Sequence, residues 1–304
     1  MRVLITGIEG FVAPYLAQPF IGKEEVYGTY FLEPSRISAV RYKYMDVTDA
    51  HSVKSIISSI RPDKIFHLAG FSSVAEAWKN PEKVMKINAD GTKNILEAVK
   101  ALGLNPKIVV VSSADVYGKP KEIPIPETHA LQPISPYGKS RVMQEKIVEN
   151  YEKLDITISR SFSHTGPTQL PKFVCPAFAH QIALIEKGLQ NPVIRHGDLS
   201  VKRDFTDVRD VVKAYKLLSE RGKPHEAYNV CSEKAYPISE ILDALISMSK
   251  VAIRKELDTS KVRPIEIQEL IGSNKKLCRD TGWKPAISFN DTLKDILEYW
   301  RKTV

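Results

Sequence analysis

The chain has 304 residues, of which 43% are hydrophobic and 26% charged, and its formal net charge is +8 at pH 7. This composition is that of an ordinary globular protein, and no apolar run reaches the roughly 20 residues that span a bilayer. Basic and acidic residues are interspersed without blocks of one sign, which argues against nucleic-acid binding; the charge alone fits a mildly basic surface as well as attraction of small anions such as nucleotides, and only the motifs below favour the latter.

The cysteine and histidine content predicts neither a disulfide framework nor a metal site. Cys175, Cys231 and Cys278 are scattered, and the seven histidines contain no close pair with metal-ligand spacing. The first residues enter a strand pattern at once, which predicts no leader peptide. We therefore expect a cytoplasmic protein without a metal and without a membrane partner.

Short β-branched runs alternate with longer amphipathic segments in the first half of the chain. The predicted strands are 2–7, 25–31, 41–47, 64–70, 107–113 and 155–162, and the predicted helices are 11–20, 50–60, 82–102 and 136–153. Near-continuously apolar strands that alternate with helices predict an α/β fold, a doubly wound parallel sheet of the Rossmann type.

The pattern loosens after residue 163. Helices are predicted at 174–187, 208–220, 238–248 and 290–302, and one more strand, 227–232, is predicted to return to the main sheet. This order predicts a dinucleotide-binding domain formed by 1–162 and 196–232. A smaller, partly interleaved substrate-binding lobe would consist of 163–195 and 233–304.

A glycine turn joins the first strand to the first helix in "LITGIEGFVAPYL". Gly7 permits the tight turn, Gly10 lets the backbone approach a pyrophosphate, and Ala13 allows close packing of helix on strand. A pair of glycines at this spacing could also be only a tight turn. Its place after the N-terminal strand of an alternating α/β pattern favours a dinucleotide site.

The end of the second strand bears on the choice of dinucleotide. NAD sites usually place an acid there, whereas this chain has Tyr30. The missing acid favours NADP(H) over NAD(H), with Arg36 or Arg41 as a partner for the 2′-phosphate. Asp46, after the third strand, could accept a hydrogen bond from the adenine amino group or could simply cap a turn.

Two polar segments complete a candidate catalytic group. "VVVSSADVYG" places Ser112, Ser113 and Asp115 at the carboxyl end of the fifth strand, where open α/β sheets bind ligands. In "YGKSR", Tyr137 and Arg141 are four residues apart on one face of a helix. Each residue alone could serve a turn, a cap or the core, but the three motifs together in this order predict an active site.

The sequence resembles the extended short-chain dehydrogenase/reductase family of nucleotide-sugar enzymes over essentially its whole length. The resemblance rests on the segments above and on "FHLAG" (66–70), "INADGTKNILEAV" (87–99), "RSFSHTGP" (160–167), "KRDFTDVRDVVKAY" (202–215) and "RPIEIQELIGSNKKLCRDTGWKP" (263–285). The last two segments are most similar to GDP-sugar dehydratases and 4-keto reductases, and the short chain is more similar to the reductases.

The resemblance implies roles for the catalytic group. Tyr137 would donate a proton to the sugar carbonyl oxygen as hydride arrives from the nicotinamide, and Ser113 would hydrogen-bond the same oxygen. Asp115 falls where the dehydratases place a glutamate, and the shorter side chain weakens a dehydratase assignment. Arg141 stands where the family has a lysine that binds the nicotinamide ribose and eases ionisation of the tyrosine.

The resemblance also implies the residues that bind the cofactor and the substrate. The cofactor, NADP(H) or NAD(H), would contact Gly7, Gly10, Phe11, Val12, Tyr30, Arg36, Asp46, Val47, Leu68, Ala69, Gly70, Ser112, Tyr137, Arg141, Phe162 and His164. The nucleotide-sugar would contact Ser113, Ser163, Val174, Arg203, Arg263 and Glu266. Of these, Arg203 and Arg263 would hold the diphosphate, since a guanidinium can bond two phosphate oxygens together. Ser163 replaces the usual asparagine of the family.

The expected activity is NAD(P)H-dependent reduction of a GDP-4-keto-6-deoxy-hexose to a GDP-rhamnose-type product. A 4,6-dehydratase or a 4-epimerase is the alternative among enzymes. Because of Arg141, a binding protein without turnover is the alternative from another class. In the family, helices equivalent to 82–102 and 136–153 form a bundle between subunits, so the expected partner is a second copy of the chain.

Overall fold

The computed structural model describes residues 1–33, 37–262 and 267–304. The strands are β1 (Arg2–Thr6), β2 (Glu25–Tyr30), β3 (Val40–Tyr44), β4 (Lys64–His67), β5 (Lys107–Ser113), β6 (Ile156–Ser161), β7 (Ser163–Thr165), β8 (Val193–His196), β9 (Lys202–Asp207), β10 (Ala227–Val230), β11 (Ala235–Pro237), β12 (Arg254–Leu257) and β13 (Glu269–Leu270).

The helices flank these strands. They are α1 (Val12–Ala17), α2 (Ala50–Ile60), α3 (Val74–Ala77), α4 (Pro81–Met85), α5 (Gly91–Ala101), α6 (Pro136–Val148), α7 (Val174–Glu186), α8 (Val208–Arg221), α9 (Ile238–Ser247), α10 (Lys275–Thr281) and α11 (Phe289–Thr303). Short 3₁₀ turns cover Ala114–Val116, Glu149–Tyr151 and Thr259–Lys261. In the described part of the chain, no helix is long and apolar enough to cross a membrane.

Seven parallel strands form the main sheet, in the order β10-β6-β5-β4-β1-β2-β3. The strand order reverses beside β1, as in a Rossmann fold, so a crevice opens beyond the carboxyl ends of the strands. The predicted α/β fold class is confirmed. The late strand β10 pairs in parallel with β6, as the sequence predicted.

Both faces of the sheet are buried over its central strands β1, β4, β5 and β6, which explains the apolar runs in β1, β4 and β5. Val3 and Ile5 of β1 belong to a core with α1 and α8, whereas Leu4 points to a second core with α2 and α5. Successive side chains of a strand point to opposite faces, so a strand covered on both sides needs apolar residues at nearly every position.

A second, smaller sheet surrounds β9. This strand pairs antiparallel with β11 and parallel with β7 and β13. Helices α7, α9 and α11 form a separate core that includes Ile182, Leu242 and Leu297. The sequence analysis did not predict β7, β8, β9, β11, β12 or β13. The division of the chain into two domains at the residues given above stays a prediction.

Several predicted boundaries were wrong. The third strand ends at Tyr44, not at residue 47, because the Asp46 carboxylate accepts hydrogen bonds from Thr48 N and Oγ1, both at 2.8 Å, and turns the chain towards α2. The segment predicted as one helix, 82–102, contains a π-helical turn over Lys86–Asp90 between α4 and α5. The first helix is limited to Val12–Ala17.

A buried ion pair ties α6 to the sheet. Arg160 Nη2 of β6 lies 2.8 Å from Glu145 Oε2 of α6, and Ser112 Oγ of β5 donates to Glu145 Oε1 at 2.6 Å. Arg160 Nη1 also donates to the hydroxyl of Tyr117 and to the carbonyl oxygen of Glu127. Every group of this cluster therefore has a partner, which is what a buried charge requires.

Removal of one charge from this pair should destabilise the fold. We expect Glu145→Gln to lower the free energy of unfolding by about 3 kcal/mol, because it leaves the Arg160 guanidinium buried without a countercharge. Urea denaturation at neutral pH measures the loss. Glu149→Gln, an exposed change just after α6, is the control and should alter stability by less than about 0.5 kcal/mol. Equal stabilities of the two variants would contradict a structural role for the pair.

Candidate active site

The glycine turn brings three backbone segments together. Gly7 has a φ of +71°, and a Cβ there would lie 2.8 Å from the Cα of Ala69. Gly10 N donates to Gly7 O at 3.0 Å, and Ala69 N donates to Thr6 Oγ1 at 3.0 Å. The predicted cofactor residues Gly7, Gly10 and Ala69 therefore meet at the carboxyl ends of β1 and β4, where side chains do not block a ligand.

Aromatic rings cover one side of this turn. The ring of Phe11 is parallel to that of His164, with an interplanar angle of 8° and centroids 6.3 Å apart. His164 Nδ1 lies 3.0 Å from the carbonyl oxygen of Phe162, and burial lowers the pKa of His164. The structure therefore brings β7 and the start of α1 together, and Val12 is the first residue of that helix.

The ends of β2 and β3 contradict one of the cofactor predictions. Arg41 Nη1 lies 2.6 Å from Glu25 Oε2 and donates to the hydroxyl of Tyr27 at the amino-terminal ends of these strands, opposite to the glycine turn. Arg41 is therefore wrong as a partner of the 2′-phosphate. Tyr30 packs against other tyrosine rings at the carboxyl end, with centroids 6.0 Å and 6.3 Å away. Arg36 lies outside the described residues.

The other residues predicted to bind the cofactor make contacts within the protein. Asp46 caps its own turn, as the alternative interpretation predicted. Val47 is buried against Gly91 of α5, and Leu68 packs on the core beside α1. The hydroxyl of Ser112 is engaged by Glu145, on the opposite side of β5 from Ser113.

The two catalytic segments meet where α6 begins. Ser113 Oγ donates to Asp115 Oδ2 at 3.1 Å, and Asp115 N lies 3.2 Å from the same hydroxyl. A Cβ at Gly138 would lie 2.6 Å from Asp115 O, so the first turn of α6 rests against the turn that follows β5. Tyr137 is thereby buried beside the Ser113 segment, with 7% of its surface exposed.

Arg141 is buried behind the tyrosine, and its Cζ is 5.3 Å from the centroid of the Tyr137 ring. Nη1 donates to Val111 O at 3.1 Å and to Gln144 Oε1 at 3.0 Å, and Nη2 donates to Phe71 O at 3.3 Å. All these acceptors are neutral, and among the described residues no carboxylate pairs with Arg141. The positive charge is thus held near the phenol by neutral groups.

A buried polar chain links Arg141 to the glycine turn, and the sequence analysis missed it. Gln144 Nε2 donates to Thr92 Oγ1 at 2.8 Å, which lies 3.0 Å from His67 Nε2, and His67 Nδ1 lies 2.9 Å from Thr6 Oγ1. Thr92 Oγ1 donates its own proton to Asn88 O at 2.7 Å. His67 Nε2 must therefore carry the proton, and Nδ1 must accept from Thr6.

Four of these residues were within reach of the sequence analysis. His67, Asn88 and Thr92 belong to the segments "FHLAG" and "INADGT" that carried the family resemblance, and Gln144 lies three residues after Arg141. Asn88 sits in the π-helical turn, where it accepts from Phe71 N at 2.7 Å and donates to Ser140 Oγ at 2.9 Å. Irregular helical turns of this kind are frequent at functional sites.

The substrate-side residues are only partly described. Ser163 begins β7 opposite Phe205 of β9, and Val174 begins α7. Arg203 lies in β9, where Nη1 donates to Lys202 O at 2.8 Å. Arg263 and Glu266 lie outside the described residues.

A salt bridge between Arg203 and the Asp207 carboxylate, four residues further along β9, would be a purely structural use of this arginine. That carboxylate instead pairs with Arg209 at 2.7 Å and accepts from Thr292 Oγ1 at 2.7 Å. In the described part of the chain, no group of three or more histidine, cysteine or acidic side chains could hold a metal ion.

Fold and site together define a class of protein. The protein has a Rossmann sheet with a glycine turn at the point where the strand order reverses. A serine, a tyrosine and a cation lie beside that turn. This is the arrangement of a short-chain dehydrogenase/reductase. The family model described as GDP-mannose 4,6 dehydratase matches residues 4–296. The chain belongs to this family, and the predicted resemblance is confirmed.

Individual relatives agree with this assignment. The chain is 34% identical to the GDP-6-deoxy-D-mannose reductase of Pseudomonas aeruginosa, over 100% of the chain and 98% of the relative. A solved structure of RMD from Pseudomonas aeruginosa complexed with NADPH has a TM-score of 0.87 at 33% identity and covers 100% and 99% of the two chains. The UDP-glucose 4-epimerase of Thermotoga maritima, solved with UDP-glucose, has a TM-score of 0.91 at 26% identity, with 100% and 99% coverage.

The buried His67 should make stability depend on pH. Burial, and then the charge of Arg141, lower its pKa to about 3, below the ordinary value of about 6.5. The unfolded chain therefore takes up a proton near pH 6.5 while the folded chain does not, and stability falls as pH decreases from about 6.5 towards 3. We expect the wild type to lose about 2 kcal/mol more than His67→Gln between pH 7.5 and pH 5 in urea denaturation. Parallel pH profiles of the two proteins would show that His67 does not titrate in this way.

Proposed function

We propose that the protein reduces the 4-keto group of a GDP-4-keto-6-deoxy-hexose with NADPH or NADH and yields a GDP-rhamnose-type product. The observation that carries this proposal is the buried phenol of Tyr137 beside an arginine whose charge no acid among the described residues cancels. The relatives named as a GDP-6-deoxy-D-mannose reductase and as a complex with NADPH support the substrate and the cofactor.

The residues present fit a dinucleotide. The glycine turn offers an open backbone at the switch point of the sheet, and the paired rings of Phe11 and His164 border it. When bound, the dinucleotide supplies a hydride to the carbonyl carbon. Gly7 and Gly10 would hold the pyrophosphate, and Arg141 would hold the nicotinamide ribose.

Tyr137 would complete the reduction by giving its phenolic proton to the sugar carbonyl oxygen, so that the carbonyl becomes a hydroxyl. Ser113 would donate a hydrogen bond to the same oxygen and keep it in line. Arg141 would stabilise the negative charge that develops on the phenol oxygen, and burial strengthens that interaction because little water screens it.

The substrate would lie between this group and the smaller sheet. Arg203 of β9 and Arg263 would bind the diphosphate, and Ser163, Val174 and Glu266 would contact the sugar or the nucleoside. The predicted division into a dinucleotide domain and a substrate lobe is part of this proposal. So is a cytoplasmic location, which agrees with three free cysteines.

A 4,6-dehydratase is the second candidate, favoured by the family model, although the carboxylate of Asp115 next to Ser113 has a shorter side chain than the glutamate expected there. Asp115 would remove the proton beside the 4-keto group. Such an enzyme, or a 4-epimerase, regenerates its dinucleotide in every cycle, whereas a reductase consumes reduced dinucleotide in proportion to product.

A cofactor-oxidation assay tests the proposal. Purified protein receives GDP-4-keto-6-deoxy-mannose with NADPH and then with NADH, and loss of nicotinamide absorbance is followed. We expect stoichiometric oxidation with the wild type. Tyr137→Phe should lose at least about 100-fold in kcat while it still binds dinucleotide, because only the transferable proton is removed.

GDP-mannose without added dinucleotide is the matched substrate control. Its conversion to a 4-keto product, without oxidation of NADPH on the keto sugar, would establish the dehydratase instead. Binding of dinucleotide without turnover on either sugar would support the non-catalytic alternative.

We further propose a homodimer through α4, α5 and α6. A groove between these helices is lined by Met85, Ala89, Asp90, Lys93, Glu97, Lys100, Met143, Ile147, Asn150 and Tyr151. Met143 is 43% exposed although α6 already buries its opposite face on the sheet. An apolar outer face with a charged rim is what an interface between two copies requires.

A charge in this groove should separate the copies. We expect the wild type to elute at about twice the chain mass of 34.2 kDa in light-scattering chromatography, and Met143→Glu to shift towards one chain mass. Leu189→Glu, which changes an even more exposed apolar residue outside the groove, is the control and should remain a dimer. A wild-type monomer would refute this part of the proposal.

A further inference from the structure

We propose that Gln144 is a positioning residue for the Arg141 guanidinium, and that Gly70 provides the room that this broad head group needs. The site is therefore built for arginine, and a lysine at this position would not be its functional equivalent. This inference rests on the proposed function, since the guanidinium is taken to act on Tyr137 and on the dinucleotide.

Gln144 is placed between two groups that it can hold at once. Its amide oxygen accepts from Arg141 Nη1 at 3.0 Å, and its amide nitrogen donates to Thr92 Oγ1 at 2.8 Å. The side chain is fully buried, so both bonds are shielded from water. Because Thr92 is itself fixed by Asn88 and His67, the amide cannot rotate without loss of a buried hydrogen bond.

Gly70 leaves the space that the guanidinium fills. A Cβ at this position would lie 2.9 Å from Arg141 Nη2 and 2.9 Å from Asn88 Oδ1. Nη2 reaches past Gly70 to the carbonyl oxygen of Phe71. The planar guanidinium carries its donors on separate nitrogen atoms and can therefore bond Phe71 O, Val111 O and Gln144 Oε1 together. A lysine ammonium has all its donors on one nitrogen atom, which cannot reach the same three acceptors.

The three hydrogen bonds of the head group use three of its five N–H donors and leave the one on Nε and one on Nη2. Arg141 Nε is buried and has no hydrogen-bond partner among the described residues, while both terminal nitrogens are engaged by the protein. A buried donor of this kind costs free energy unless something accepts from it. An oxygen of the bound dinucleotide would do so, and the anchors on Nη1 and Nη2 would fix the direction of Nε.

A double-mutant cycle on the full-length protein tests the coupling between residues 141 and 144. The wild type, Gln144→Met, Arg141→Lys and the double variant are compared by kcat on the keto sugar with NADPH. The same proteins are compared by their Kd for NADPH from nicotinamide fluorescence. Lys139→Gln, an exposed change on the same helix, is the control and should leave both quantities within about twofold.

We expect Gln144→Met to lower kcat about tenfold and to raise the Kd about fivefold in the chain with Arg141. In the Arg141→Lys background the same change should have less than about a twofold effect, because the guanidinium that it positions is already absent. Should the methionine variant fail to fold, Gln144→Asn keeps an amide but withdraws it by one methylene, and the same outcome is expected.

Equal losses of kcat and of NADPH affinity from the Gln144 change in both backgrounds would overturn the positioning role. A residue with a purely structural role has the same effect whether residue 141 is arginine or lysine. Full activity of Arg141→Lys would overturn the adaptation to arginine. If the wild type does not reduce the sugar but the four proteins show the coupling in their Kd values for NADPH, the proposed reductase activity is contradicted and the positioning role is supported. Absence of NADPH binding by every variant and by the wild type would overturn both.

Discussion

The buried ion pair between Glu145 and Arg160 fixes the helix on which the candidate chemistry depends. Two opposite charges inside the protein must stay in contact, and this pair joins α6 to β5 and β6 through Ser112 as well. Tyr137 and Arg141 lie on the same helix, about two turns and one turn before Glu145. Their distance from the sheet edge is therefore set by an electrostatic requirement and not by apolar packing alone.

The two buried arginines near α6, Arg160 of β6 and Arg141 of α6 itself, are held by different kinds of partner. Arg160 lies against a carboxylate, whereas Arg141 is held only by carbonyl and amide oxygens among the described residues. A compensated charge contributes to specificity of the fold, and its field is cancelled a few ångströms away. The electric field of an uncompensated positive charge is not cancelled in this way, and it is useful only where a negative charge binds or develops. The contrast supports a structural role for Arg160 and the proposed role of Arg141 in the reaction.

The main sheet could be predicted because its strands are covered on both faces and therefore read as apolar runs between amphipathic helices. The small sheet could not, because β7, β11 and β13 have two or three residues each and are defined by pairing with β9. The glycine turn and the Ser113–Tyr137–Arg141 group were visible as local motifs. The failure at Arg41 has a geometric cause, since proximity in sequence to the end of β2 did not reveal that its pairing places it at the opposite edge.

The residues of the buried polar chain stand in recognisable motifs, but the long-range contacts by which they join the two halves of the site could not be predicted from the sequence. Thr6 and His67 are 61 positions apart, and Thr92 and Gln144 are 52 apart. The Arg141 charge helps to keep His67 neutral, and neutral His67 directs its Nε2 proton to Thr92, so that Nδ1 must accept from Thr6. Thr6 Oγ1 is then left to accept from Ala69 N beside the glycine turn. Buried hydrogen bonds therefore join the Arg141 guanidinium, through Gln144, Thr92, His67 and Thr6, to the backbone beside the glycine turn.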